Sequence, residues 1–155
     1  MLRVAFAGAV IGLLSCNPSR PSDPTGPETL VRSFVQAQQA LMQQNAGEPE
    51  VQAVLHFLSD SFVYEHPRAR ATISGRNEFG EGLRRFLGGT QKAQIRIVST
   101  LVDGGVVVTE QDISFDVKRE GEWRPDGRTQ VTVFDVENGR IARIVDFWQP
   151  KSGGS

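Results

Sequence analysis

Apolar positions recur at helical spacing in the first half of the chain and at strand spacing in the second. Over 28–44, Leu30, Val31, Phe34, Leu41 and Met42 fall close to one helical face, and the opposite face is rich in glutamine. Pro27 stands in the first turn, where its missing N–H costs nothing, and Asn45-Ala46-Gly47 ends the helix. A second short helix is expected with Pro49 near its start and Val51, Val54, Leu55 and Leu58 turned inward. Phe62-Val63-Tyr64 has the composition of a short strand that Pro67 ends or bends. A third helix over 77–87 buries Phe79, Leu83 and Phe86, although Gly80 and Gly82 each weaken it by roughly 1 kcal/mol relative to alanine. Gly88-Gly89 stops it.

From Gln94 the period shortens to two. Ile95, Ile97, Leu101 and Val102 make one strand, Asp103-Gly104-Gly105 turns the chain, and 106–117 makes a long second strand. After a reversal at 118–121, Trp123 opens a third strand. Pro125-Asp126-Gly127 marks an irregular edge or bulge, and the strand resumes over 129–136. Asn138-Gly139 is the strongest hairpin signal, since both residues take the positive φ values of a two-residue turn. The strand over 141–148 closes the sheet. Helices first and an antiparallel meander afterwards define an α+β domain.

The leading residues change the picture of where this domain resides. Arg3 supplies a positive start, and Val4 to Leu14 is an apolar run too short for a bilayer span of about 20 residues. Leu13-Leu14-Ser15-Cys16 resembles a bacterial lipobox, which implies cleavage after 15 and lipidation of Cys16. Asn17 fits an outer-membrane address, facing the periplasm, in a host with two membranes. Cys16 is the single cysteine, so no internal disulfide forms. Residues 16–27, with four prolines, read as a lipidated tether. The domain then covers 28–149, with 150–155 as a tail. The expected location is the cell envelope, with contact to the membrane through the anchor alone.

Charge excludes one class of partner. The chain carries 17 basic against 18 acidic residues, and its arginines are scattered, so nothing draws it toward nucleic acid. Two histidines, His56 and His66, make no metal-ligand cluster, and there is no phosphate loop or dinucleotide motif. No cofactor and no metal is expected.

Three stretches stand out together: Phe62-Val63-Tyr64-Glu65-His66-Pro67 followed by Ser74-Gly75-Arg76-Asn77; Val108-Thr109-Glu110 on the central strand; and 133–141 leading to Val145-Asp146-Phe147-Trp148. In this order and spacing they resemble the NTF2-like superfamily, particularly its SnoaL-like and limonene-epoxide-hydrolase-like branches. The resemblance implies a curved sheet wrapped around helices as a cone with an internal cavity. It also implies a homodimer paired through the outer sheet faces, for which Val131, Val133 and the 141–143 region are available. Epoxide hydrolases of this type hold a water between two carboxylates and an arginine, helped by a tyrosine and an asparagine. Asp146 matches one carboxylate, Tyr64 the tyrosine, and His66 replaces the asparagine. On the central strand, Gln111 stands where the arginine belongs and Ile113 where the second carboxylate belongs, and a one-residue shift through a bulge makes Asp112 the replacement carboxylate instead.

The residues themselves support a cavity site around Asp146. Ile144, Asp146 and Trp148 share one strand face, and an aspartate between large apolar neighbours invites burial, which raises a carboxyl pKa. His66 is a base, a ligand or an ordinary hydrogen-bonding side chain; Tyr64 is a wall aromatic or a catalyst. Gln111, Ile113 and Phe115 fall on the cavity side of their strand, and Glu110, Asp112 and Ser114 on the solvent side. Three readings follow. The first is a domain binding a small apolar or amphipathic organic molecule. The second is a cofactor-independent hydrolase or isomerase working by acid–base chemistry through Asp146, His66 and Tyr64. The third is a non-catalytic dimeric interaction domain.

Overall fold

The computed structural model describes residues 26–150. The leader, Cys16, nearly all of the tether and residues 151–155 lie outside the described residues. Helix α1 (Pro27–Leu41) begins on its proline and stops three residues short of Gln44. Helix α2 (Glu48–Leu55) follows, its Glu50 carboxylate accepting from the Gly47 N–H at 2.8 Å. Strand β1 (Leu58–His66) starts four residues before Phe62 and runs to Pro67, where a single 3-10 turn takes over. Strand β2 (Ala71–Ser74) is a four-residue edge whose only apolar signal is Ile73, too little for periodicity to find. Helix α3 spans Arg76–Arg85. Four long strands complete the chain: β3 (Thr90–Asp103), β4 (Val106–Arg119), β5 (Glu122–Glu137) and β6 (Arg140–Pro150).

The six strands form one curved, unclosed sheet in the order β2-β1-β6-β5-β4-β3, with the three helices packed against it. β3 to β6 are an antiparallel meander. Its last two reversals use tight turns with both residues at positive φ, 53° and 87° at Glu120-Gly121 and 51° and 71° at Asn138-Gly139. β1 pairs with β6 in parallel, setting Tyr64 beside Ile144. The expected irregularity at Pro125-Asp126-Gly127 does not exist. β5 keeps an unbroken register with β4 from Glu122 through Pro125, opposite Asp116, to Asp135. Pro125 lies beyond the end of β6, so no partner strand needs its missing N–H on that side.

Each strand turns one face inward, and that face changes character along its length. At the closed end, Val31 and Phe34 of α1, Val51 and Val54 of α2, Phe62, Phe134 and Ile141 are all within 1% of full burial. The Phe34 ring meets Phe57 and Phe134 edge-on at 6.1 and 5.8 Å. Each such side chain contributes about 1.5–3 kcal/mol by leaving water. Ile141, expected on the outer face, is turned into this core by a register shift between Asp135 and Val136. Further along comes a buried polar layer, Thr109, Gln111, Gln130 and Thr132. Beyond it the helices no longer fill the sheet's concavity, and a cavity opens.

Candidate functional site

The cavity holds about 500 Å³. Gln38, Leu41 and Met42 at the end of α1 and Phe79, Gly82 and Leu83 of α3, with Phe86 just past its last turn, form one wall; Phe86, expected to be buried, stands at the rim and is 75% exposed. Phe79, Gly82, Leu83 and Phe86 fall at i, i+3, i+4 and i+7, so a single helical stripe faces the hollow. Tyr64, His66, Ile73, Phe115, Val117, Asp126, Arg128, Asp146 and Trp148 line the sheet side.

Strand alternation brings Asp146 to the floor. Its Oδ1 accepts from the Thr132 hydroxyl at 2.7 Å and from Gln130 Nε2 at 2.9 Å. Gln130 also donates to the Thr132 hydroxyl at 2.8 Å, and accepts from Arg128 Nε at 2.8 Å. Arg128 lies over the Trp148 indole, 5.2 Å from its centroid. The Tyr64 hydroxyl faces the Asp146 carboxylate. Burial pushes the Asp146 carboxyl above the ordinary carboxylate range, while hydrogen bonds from Thr132 and Tyr64 and the Arg128 charge pull it back. Burial, followed by the Asp146 charge, raises the Tyr64 phenol far above its usual value. Burial also lowers Arg128, and Asp146 is the foremost of the groups that oppose this. The charged groups here are thus held against one another inside an apolar shell.

Asp146, Tyr64, His66, Phe115 and Trp148 line one cavity. Gln111, Ile113 and Ile144 share the same sheet face, but do not line the hollow. They sit one or two inward positions deeper, where Gln111 donates to Thr109 at 2.8 Å and Ile144 joins the apolar core. Asp112 points outward to Arg96 at 3.3 Å. Phe147 is on the outer face, 44% exposed, and fills no part of the cavity.

Sequence reasoning missed Arg128, Gln130 and Thr132. The arginine beside Asp146 comes from β5, the strand hydrogen-bonded to β6, and not from the Gln111 position of β4. The signal was present: Arg128, Gln130, Thr132 and Phe134 share the inward parity of β5. Reading Pro125-Asp126-Gly127 as a bulge broke the alternation before it reached Arg128. Among the described residues, no His, Cys, Asp and Glu side chains gather in a way that would hold a metal ion.

A curved, unclosed sheet folded over three helices, with a polar cluster inside its open end, is the cone of the NTF2-like fold. A model of the SnoaL-like domain matches residues 31–144, and the chain belongs to that family. Solved structures share the cone. An LEH-like epoxide hydrolase from M. tuberculosis is 24% identical, with a TM-score of 0.64 over 79% of this chain and 82% of that one. A candidate SnoaL-like polyketide cyclase from Shewanella denitrificans is 17% identical, with a TM-score of 0.68 over 84% and 92%. A candidate ketosteroid isomerase from Kribbella flavida is 16% identical, with a TM-score of 0.61 over 83% and 82%. At these identities the likeness is one of fold. A comparison with curated proteins finds no match.

Proposed function

We propose that the domain binds a small, largely apolar organic molecule inside the cone, with the molecule's polar end at Asp146. One observation carries this: a buried carboxylate, held by Gln130 and Thr132, lies on the floor of a cavity of about 500 Å³ walled by aromatic and aliphatic side chains. The test is a screen of apolar ketones, esters and epoxides by calorimetry and turnover, on wild type beside Asp146→Asn. Binding that weakens at least tenfold in the variant is the expected result. Unchanged affinity in Asp146→Asn would remove the carboxylate from the site.

A second reading, proton transfer to or from the ligand by Asp146, is favoured by the raised carboxyl pKa. It suits isomerisation or ring closure, which need one carboxyl group. Epoxide opening by paired carboxyls suits the site less well. Gln130, which never ionises, occupies the place between Arg128 and Asp146. Turnover that disappears in Asp146→Asn would establish the catalytic reading.

The same proposal includes export, lipidation at Cys16 and a homodimer paired through outer sheet faces. The leader and the lipobox-like Leu13-Leu14-Ser15-Cys16 support the anchor. Cys16→Ser should release the protein from membranes, and continued membrane retention at unchanged mature mass would refute the anchor.

A further inference from the structure

His66 is 7% exposed and lines the cavity, yet its two nitrogens have very different surroundings. Nδ1 accepts from the Ala69 N–H at 3.1 Å and so caps the 3-10 turn after β1. An acceptor nitrogen carries no proton, so the neutral ring bears its proton on Nε2. Nε2 is enclosed and has no hydrogen-bond partner among the described residues. The ring stands perpendicular to Trp148, centroids 5.0 Å apart, which fixes its plane. A buried N–H without an acceptor has lost its water and gained nothing in exchange, and such groups are few in native proteins. The cap on Nδ1 also removes the lone pair a general base would use.

We infer that His66 is a hydrogen-bond donor to the cavity's ligand, locked as the Nε2–H tautomer, and that it selects neutral molecules bearing an oxygen acceptor. Ketones, lactones, esters and epoxides are that class. This rests on the small-molecule reading of the cavity. An ammonium group presents only N–H donors to a donor, and a hydrocarbon leaves Nε2 unsatisfied. An anion has to face the Asp146 carboxylate, whose charge Arg128 already offsets. Selection by one buried donor is sharp because the wrong ligand leaves that donor unpaired.

Two measurements on the full chain test this. Nitrogen NMR of His66 should show Nε2 as the protonated, pyrrole-type nitrogen and Nδ1 as pyridine-type. Adamantanone and methyleneadamantane, which differ by oxygen against a methylene group, should then bind with at least a tenfold preference for the ketone. His66→Gln, whose amide reaches toward the Nε2 position, should keep much of that preference. His66→Asn retains an acceptor for the Ala69 N–H, which preserves the turn, but withdraws the donor, and should bring the ratio to about one. Equal binding of both probes to wild type, or a proton found on Nδ1, would overturn the assignment of His66 alone. Binding of neither probe would overturn the ligand-cavity reading together with it.

Discussion

Burying Asp146 against Gln130, Thr132 and Tyr64 leaves a carboxyl that holds its proton more tightly than an exposed aspartate does. The linkage sign follows. With the native pKa above the unfolded value, the folded state binds the proton first, so this group adds stability as pH falls through its native pKa toward roughly 4. Above the native pKa its destabilising effect is present in full. Glu48 works in the opposite sense. Hydrogen bonds from Arg84 and Gln52 hold it down to about 2, so its contribution is present above about 4.5 and lost as pH falls. A comparison of variants isolates the Asp146 effect. Urea unfolding at pH 7 and pH 4 should show wild type gaining stability relative to Asp146→Asn at the lower pH; a parallel change in both proteins would refute the raised pKa. At this scale half of the site is legible in the sequence. The run Ile144, Asp146, Trp148 announces itself by alternation in a strand with no ambiguity, and Tyr64 and His66 do so with the aid of the family pattern. The hydrogen-bonding partners do not, because an amide and a hydroxyl on an inward face look the same whether they meet each other or a carboxylate.

At the level of elements, α3 shows how a cavity shapes the sequence of the helix beside it. Its two glycines have opposite surroundings. A Cβ at Gly80 would lie 2.8 Å from Leu55 Cδ1, in the packed contact with α2, whereas a Cβ at Gly82 would meet nothing within 4 Å and enter the hollow. Gly82→Ala should therefore gain close to the full helix-propensity difference, about 1 kcal/mol. Gly80→Ala should fall below it by at least about 1 kcal/mol, since Leu55 must move. Chemical denaturation of the two variants decides this, and equal stabilities would refute the packing argument. Sequence alone shows that both glycines weaken the helix, but which one touches a neighbour depends on α2, a partner no local pattern specifies. The turns are the reverse case. Asn138-Gly139 is legible because the positive φ at both positions is a property of those two residues, whatever surrounds them. Strand β2 was invisible for the same reason: four residues with one apolar side chain carry no period, and only pairing with β1 makes them a strand.

Over the whole molecule the outer sheet face carries a continuous apolar row, with Leu101 opposite Val108, Val108 opposite Val133 and Val133 opposite Val145. Val131 and Phe147 pair beside it, 40% and 44% exposed. A homodimer through this face is expected to need Phe147, and Phe147→Glu should yield a monomer by analytical ultracentrifugation at micromolar concentration while the cavity stays intact. A wild type that is itself monomeric there would refute the pairing. The parallel contact between β1 and β6 also sets the order in which the molecule can be made. Tyr64 and Ile144, partners across that contact, are about 80 residues apart in the chain, so their meeting has the largest loop-closure entropy of the strand pairings. Loop closure favours forming the three hairpins of the meander before β1 meets β6. A chain still emerging from a ribosome therefore carries β1 with one bare edge until β6 has been made. That interval is when the domain is most open to aggregation, and folding speed rather than native stability decides how much of the protein survives it.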